Sequence, residues 1–198
     1  MGRQTCTGIG AIIVAAALAG VGGQVAGAEP LPTLLLHISD QTGVPAAVLK
    51  RAQEECTEVY RHIGVDVVWT DGQSTPEVTS ARHIFVVIVP AERAGRMPVN
   101  PTALGVAVTS PTSRGRLVYV LYNRVETVAR NADTAVATVL GHAIAHEIGH
   151  LLLPAGHTLS GLMAAEWDTN DLRQAEGGHL QFTPGQAAVI RARLVRAR

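Results

Sequence analysis

The sequence has few aromatic side chains and no net charge. Phe, Trp and Tyr make up 4% of the 198 residues, so a core must consist mainly of Val, Leu, Ile and Ala, and the 47% hydrophobic content is ample for one. The 16 basic and 16 acidic side chains cancel to a formal net charge of zero. Because the chain lacks a positive field, we expect no nucleic-acid partner.

Long apolar runs are also missing. The stretch 9–21 is short for a membrane span and is interrupted by glycines. It follows a single charge at Arg3 and precedes Ala26-Gly27-Ala28, a pattern typical of a cleaved secretory signal peptide. We therefore expect 1–28 to be a signal peptide and 29–198 to be one secreted or periplasmic domain without stable membrane insertion. An uncleaved membrane anchor is the alternative.

Cysteine is nearly absent. Cys6 lies in the segment that we expect to be removed, so Cys56 would remain alone and no internal disulfide could form. Cys56 is spaced by three and four residues from Ala52 and Val59, as on one face of a helix. This spacing favours a buried, inert thiol over a reactive or metal-binding one.

Hydrophobic periodicity predicts an α+β domain. Apolar or alternating runs indicate strands at 33–38, 65–69, 83–89, 103–109 and 116–122. Spacing by three and four residues indicates helices at 44–63, 133–153 and 184–194. The third run is apolar nearly throughout, which favours the centre of a sheet, and the last two runs are expected to form a hairpin. We expect a mixed sheet backed by two helices, with a further C-terminal helix.

Helix-ending and turn-forming residues separate these elements. Polar segments that contain proline, at 72–82 and 90–101, are predicted to be loops. Asn131 or Asp133 is expected to cap the long helix, and Pro154 prevents the helix from continuing. The chain that follows lacks a helical stripe and is expected to be irregular up to the last helix.

The segment His146-Glu147-Ile148-Gly149-His150 lies near the end of the predicted long helix. Four residues are slightly more than one helical turn, so both imidazoles project from the same face and can hold one metal ion. Glu147 projects beside them, where its carboxylate can accept a proton from water that the metal activates. The spacing therefore predicts a catalytic Zn²⁺ site with His146 and His150 as ligands and Glu147 as general base.

A catalytic zinc usually has a third protein ligand and keeps the fourth position open. His157 is the best candidate, because Pro154 ends the helix and Gly156 allows the chain to turn back towards the metal. Glu166 is the alternative, since a carboxylate completes zinc sites of the His-His-Glu kind. The sequence thus predicts either three histidines around zinc or two histidines and a glutamate.

The run HEIGHLLLPAGHTLSGLM at 146–163 resembles the metzincin zinc peptidases, particularly their matrixin-like branch. The resemblance implies a zincin-type domain that hydrolyses peptide bonds, with Glu147 as base and His157 as the third histidine ligand. It also implies that Met163 belongs to a methionine turn beneath the metal. The same run resembles a group of secreted bacterial proteins that carry HEIGHLLL and a nearby Gly-hydrophobic-Met segment.

The chain departs from the metzincin pattern in the turn between the last two ligands. Six residues separate His150 from His157, whereas five separate the corresponding histidines of the family. The glycine that ends the family's helix would fall at Leu153, and here Pro154 and Gly156 follow instead. An insertion of one residue in this turn would reconcile the two patterns.

Other polar side chains near the motif have less specific roles. His142 lies one turn before the motif, and we expect it to support the site or pack in the core, because a helix drifts about 40° over four residues. Asp168 and Asp171 could orient a ligand imidazole or be solvated. Tyr119 and Tyr122 are expected to pack, although either could line a cleft.

The expected partner is a peptide or protein substrate. Peptidases of this type often bind an extended peptide at an exposed sheet edge, and the resemblance implies that 104–109 supplies that edge. Arg93, Arg96 and Arg114 could favour acidic substrates or be solvated. Two other functions stay open: a noncatalytic secreted module that binds zinc or a partner, and hydrolysis of an ester or phosphodiester bond.

Overall fold

The computed structural model describes residues 1–2, 31–71, 81–108, 116–154 and 156–196. Nearly all of the predicted signal peptide, most of the predicted loop at 72–82 and the turn that contains Arg114 lie outside these ranges. The helices and strands belong to the unit Leu31–Arg198. None of the helices in the described ranges combines the length and apolar content that crossing a bilayer requires.

Strands dominate the first part of the chain and helices the second. The strands are β1 (Thr33–Asp40), β2 (Asp66–Thr70), β3 (Arg82–Val89), β4 (Gly105–Val108) and β5 (Leu117–Leu121). The helices are α1 (Ala46–His62), α2 (Ala91–Ala94), α3 (Tyr122–Ala132), α4 (Val136–Leu152), α5 (Thr169–Glu176) and α6 (Pro184–Val195). The described residues thus form an α+β fold with a five-stranded mixed sheet and six helices, which confirms the predicted class.

The strands form one sheet in the order β2-β1-β3-β5-β4. The pairs β1–β2, β1–β3 and β3–β5 are parallel, whereas β4 is antiparallel to β5 and pairs Gly105 with Val120 and Val108 with Leu117. The predicted central position of 83–89 and the predicted hairpin are therefore confirmed. Strand β4 occupies one edge of the sheet, a position that becomes important at the functional site.

One face of the sheet carries the main core. Alternate strand residues point to α1 and α4, and they include Leu34, Leu36, Ile84, Val86, Ile88, Val118 and Val120. Cys56 on α1 lies in this core, as its helical spacing predicts. Burial raises the pKa of the Cys56 thiol, so the group stays protonated and inert at neutral pH.

Three helices are absent from the sequence prediction. Helix α2 lies in the predicted loop at 90–101, α3 begins where the predicted last strand ends, and α5 lies in the predicted irregular segment. Helix α2 is a single turn of four residues, and α3 and α5 each bury only two residues. Helices α3 and α5 span only 11 and 8 residues, so their periodicity covers few turns and packing against the rest of the fold decides these helices.

The predicted cap of the long helix is wrong. Asn131 lies inside α3, and Asp133 ends α3 with a φ angle of 54°, a left-handed conformation that Asp tolerates better than most residues. Helix α4 begins three residues later, at Val136, after Ala135 in an extended conformation. Its predicted end is confirmed, because α4 stops at Leu152, just before the proline.

Helices α1 and α4 approach closely at Gly141. A Cβ atom there would lie 2.6 Å from the Ala52 carbonyl oxygen and 2.6 Å from Glu55 Cβ, both inside van der Waals contact. One turn further along α4, the Tyr60 hydroxyl donates a hydrogen bond to the Ala145 carbonyl oxygen at 3.0 Å. The contact between these helices therefore sets the position of α4 over the sheet.

Gly141→Ala is expected to lower the free energy of unfolding by about 1–3 kcal/mol, because the added methyl group must push α1 away from α4. Gly185→Ala on α6 is the control, since nothing lies within 4 Å of a Cβ atom there, and it should leave stability equal or higher. Urea denaturation measures both changes. Parental stability of Gly141→Ala would contradict the close helix contact.

Candidate metal centre

Helix α4 is buried along almost its whole length, so its polar side chains lie inside the protein. His146 is 7% exposed and Glu147 is 6% exposed. The Nε2 atoms of His146 and His150 lie 2.9 Å apart. The two imidazoles that the sequence places one turn apart therefore converge on one point, as predicted.

His157 joins this pair from the segment after α4. The chain turns after Pro154, and Gly156 has a φ angle of 118°, which only glycine adopts readily. His157 Nε2 lies 3.1 Å from His150 Nε2, and one nitrogen from each of the three histidines lies within 4.8 Å of the others. Ligand atoms of a tetrahedral zinc are about 3.3 Å apart, so the three nitrogens suit a single ion.

Glu166, the alternative third ligand, lies outside this cluster. Its Oε1 atom accepts a hydrogen bond from Thr102 Oγ1 at 3.0 Å. In the described ranges, no second group of three His, Cys, Asp or Glu side chains converges in the same way. The structure therefore brings His157, and not Glu166, to the two histidines of α4.

Burial keeps the imidazoles of His146 and His150 neutral. Burial, followed by the neighbouring imidazoles, lowers the pKa of His146 to about 4. Burial and the His157 ring likewise lower the pKa of His150 to about 4. A neutral imidazole keeps a lone pair for a metal, so both side chains are in the metal-binding form at neutral pH.

The orientation of His146 is fixed by the segment that contains Met163. His146 Nδ1 donates a hydrogen bond to the Leu162 carbonyl oxygen at 2.7 Å. Since a carbonyl can only accept, the ring hydrogen is on Nδ1, and Nε2 carries the lone pair that faces the other histidines. The contact therefore sets both the tautomer and the direction of this ligand.

Met163 is buried against α4, at 1% exposure. A Cβ atom on Gly149 would lie 2.5 Å from Met163 Sδ and 3.0 Å from Phe182 Cε1, so the absence of a side chain at Gly149 lets this segment pack against the helix. The segment is closed by a hydrogen bond from the Thr158 amide to the Met163 carbonyl oxygen at 2.9 Å. The methionine thus supports the helix between the ligands.

Glu147 points to the edge strand β4. The Ala107 backbone N–H donates a hydrogen bond to its carboxylate, and burial outweighs this bond and raises the pKa of Glu147 to about 8. A Cβ atom on Gly105 would lie 2.6 Å from Glu147 Cγ and 2.7 Å from the Tyr119 carbonyl oxygen. Glycine is therefore required where the glutamate approaches the strand, and nothing in the isolated sequence marks Gly105.

Asp168 and Asp171, which could have oriented a ligand imidazole, cap a helix instead. Asp168 Oδ1 accepts hydrogen bonds from the Asn170 and Asp171 amides, and Asp171 Oδ2 accepts from the Asp168 amide at 3.0 Å. These bonds form a capping box at the start of α5. The pair therefore stabilises a helix end that the sequence analysis does not predict.

His142 is a core histidine, in agreement with one of its two predicted roles. It is 1% exposed, and its Nδ1 donates a hydrogen bond to the Thr138 carbonyl oxygen at 2.9 Å. Burial lowers the pKa of His142, so the ring is neutral. It is not a member of the cluster of three histidines.

The three histidines and Glu147 line a cavity of about 1130 Å³, which is comparable with large ligand sites. Strand β4 contributes 105–107, and the segment after Met163 contributes 164–167. Tyr119 and Tyr122 do not line this cavity. The cavity therefore lies between the edge strand and the face of α4 that carries His146 and His150.

The arginines that line the cavity are not those singled out from the sequence. Arg93 donates hydrogen bonds to Gln41 Oε1 at 2.9 Å and to the Tyr119 hydroxyl at 3.3 Å. Neither Arg93 nor Arg96 lines the cavity, whereas Arg82 and Arg193 do. Arg93 and Arg96 are exposed, which agrees with the alternative that they are solvated loop residues. Only the three-dimensional fold brings Arg82 and Arg193 to the cavity.

Trp167 is a site residue that the sequence analysis does not predict. Its Nε1 donates a hydrogen bond to the Leu162 carbonyl oxygen at 3.2 Å, the same oxygen that accepts from His146. Its ring lies edge-on to the His146 ring, with centroids 5.6 Å apart. Its position four residues after the methionine is the one sequence signal that could have pointed to it.

Comparison with known proteins adds no family assignment. No protein-family model matches the chain, and no curated protein sequence matches it. The function must therefore be inferred from the three histidines, Glu147 and the cavity that they line.

The three-histidine cluster is expected to bind about one divalent ion per chain. His157→Ala should weaken that binding by at least about a hundredfold, because the ion keeps only two protein ligands. Glu166→Ala is the control, since it removes a carboxylate from the same cavity and should leave affinity unchanged. Titration with Zn²⁺ or Co²⁺ measures both. If Glu166→Ala weakens binding instead, the glutamate is the third ligand.

Proposed function

We propose that this protein is a secreted zinc-dependent peptidase of the metzincin kind. The observation that carries the proposal is the convergence of three imidazoles beside the buried carboxylate of Glu147 in one cavity. Structural zinc sites are closed by four protein ligands, whereas catalytic sites use three and keep one position open. Three histidines with an adjacent carboxylate favour the catalytic arrangement.

The donor set fits zinc, because neutral imidazole nitrogens are ligands that this ion prefers. His146, His150 and His157 would hold the ion, and the ion would supply a Lewis acid at its open position. Glu147 would act in its ionised form, which a cation held by the three histidines favours over the protonated form that burial stabilises. Its carboxylate would accept a proton from the attacking water and return it to the amine that leaves when the peptide bond breaks. The Ala107 amide holds this carboxylate towards the cavity.

The edge strand β4 supports a peptide as the substrate. Residues 105–107 line the cavity, and β5 is the neighbour of β4 in the sheet. An extended peptide can add to such an edge through main-chain hydrogen bonds, with its side chains pointing alternately to either side. Because the same strand also holds Glu147, the base and the substrate backbone would share one rigid support.

The arrangement around the cluster supports the resemblance to metzincins. An antiparallel edge strand lines the cavity, α4 carries the first two histidines, and Met163 is buried beneath that helix. The turn at Pro154 and Gly156 accommodates the extra residue before His157. Secretion rests on the predicted signal peptide at 1–28.

A noncatalytic module that binds zinc is the alternative function. Such a module would need the three histidines but would have no use for a base. Glu147 therefore separates the two functions, because it belongs to the cavity and is not a member of the ligand cluster.

Glu147→Gln is expected to keep parental zinc affinity and to lower peptide hydrolysis by about 10²–10⁴-fold. Gln has the same size and can still accept a hydrogen bond from the Ala107 amide, but it cannot take up the proton. Hydrolysis of a fluorogenic peptide library by the zinc-loaded proteins measures the loss, and Glu166→Gln is the control that should stay active. Absence of hydrolysis by the zinc-loaded parent would favour the noncatalytic module.

A further inference from the structure

Two further histidines, His37 of β1 and His83 of β3, lie on the sheet face opposite α4. The apolar strand residues next to them in sequence belong to the main core, so the two imidazoles point to the other face. Both side chains are half-buried, and the neighbouring Phe85 is 46% exposed, so this part of the face is open to solvent. Neither histidine lines the cavity beside α4.

The two imidazoles meet at their ring nitrogens. His37 Nε2 and His83 Nδ1 lie 3.1 Å apart, and the ring centroids are 5.2 Å apart. Two nitrogens that each lie about 2.0 Å from one ion are about 2.9 Å apart at a right angle and about 3.3 Å apart at the tetrahedral angle. The observed distance lies between these values, and it equals the 3.1 Å between the Nε2 atoms of His150 and His157.

Phe85 holds the ring of His37 in place. The two residues are Cα partners on neighbouring strands, and their rings stack with centroids 4.6 Å apart and an interplanar angle of 18°. A stacked neighbour on a rigid strand restricts the rotation of the imidazole. Little conformational freedom is therefore lost when the pair binds an ion.

An ion can replace the hydrogen between the two rings without removing a proton from the pair. Burial, followed by the neighbouring His83 ring, lowers the pKa of His37 and favours its neutral form. In the hydrogen bond between the rings, one nitrogen donates and the other accepts. If the donor ring carries its hydrogen on its other nitrogen, both facing nitrogens have a free lone pair. Among the described side chains each ring hydrogen-bonds only the other, so no ion pair has to break.

We propose that His37 and His83 form a second metal site, which binds a divalent transition-metal ion such as Zn²⁺ or Cu²⁺. Imidazole nitrogen suits these ions, whereas Mg²⁺ and Ca²⁺ take oxygen ligands. Two protein ligands leave the other coordination positions to water, so this site binds more weakly than the three-histidine cluster. The proposal does not rest on the peptidase function, because the sheet separates the two sites.

Protein that already holds one equivalent of Zn²⁺ is the material for the test. Calorimetric titration with Zn²⁺ up to submillimolar free ion should show a further equivalent, bound at least about tenfold more weakly than the first. In the ¹⁵N NMR spectrum of the imidazoles, this second equivalent should shift His37 Nε2 and His83 Nδ1. Titration with Mg²⁺ should produce neither effect.

His37→Gln and His83→Gln should each weaken binding of the second equivalent by at least about tenfold, because only one imidazole remains. His179→Gln is the matched control, since it removes an exposed histidine that belongs to neither group. All three variants should keep the first equivalent at parental affinity, which also reports that they fold.

A parent that takes up no second equivalent would overturn the inference, as would a second equivalent that survives in both His37→Gln and His83→Gln. If either variant also loses the first equivalent, the NMR shifts of the parent decide: shifts at His37 and His83 support the site, and shifts confined to other histidines contradict it. Peptide hydrolysis by the parent with one equivalent of zinc is measured separately. The second site and the peptidase function can therefore fail independently.

Discussion

The arrangement of the three histidines depends on one hydrogen bond, from His146 Nδ1 to the Leu162 carbonyl oxygen at 2.7 Å. This bond joins α4 to the segment that follows it, so a histidine on a buried helix is oriented by a loop residue 16 positions further along the chain. It also leaves Nε2 free to face the other histidines. The Thr158 amide closes the same segment by donating to the Met163 carbonyl oxygen, next to the third histidine. The same segment therefore orients His146, closes the loop before Met163 and buries that methionine against α4.

Close approaches at glycine make that arrangement possible. At Gly149 a side chain would collide with the Met163 sulfur, and at Gly105 it would collide with Glu147 and with the backbone of β5. The first approach brings the segment that contains Met163 under the helix, and the second brings the edge strand to Glu147. Because α4 is itself held against α1 at Gly141, the helix has little freedom to move between these contacts.

Local signals in the sequence predict the centre of the site better than its surroundings. Two signals act over a few residues: the spacing of His146 and His150, and the proline and glycine before His157. The structure brings the three histidine side chains together as these signals predict. The role of Asp168 as a cap could not be assigned, because it depends on a helix, α5, that the sequence analysis does not predict. Arg193 and its partners in the cavity come from elements far apart in the chain, and no short pattern marks such a meeting. The strands follow the same rule: continuous apolar runs predict the sheet, whereas the shorter helices α2, α3 and α5 are not predicted.

X-ray absorption spectroscopy of the zinc-loaded protein tests the three-histidine site most directly. The account predicts three imidazole nitrogens and one further light atom about 2.0 Å from the ion, which leaves one position open for chemistry. The same spectrum should be unchanged in Glu166→Ala. A shell with fewer than three imidazoles, or one in which a carboxylate of the protein replaces His157, would contradict the central claim.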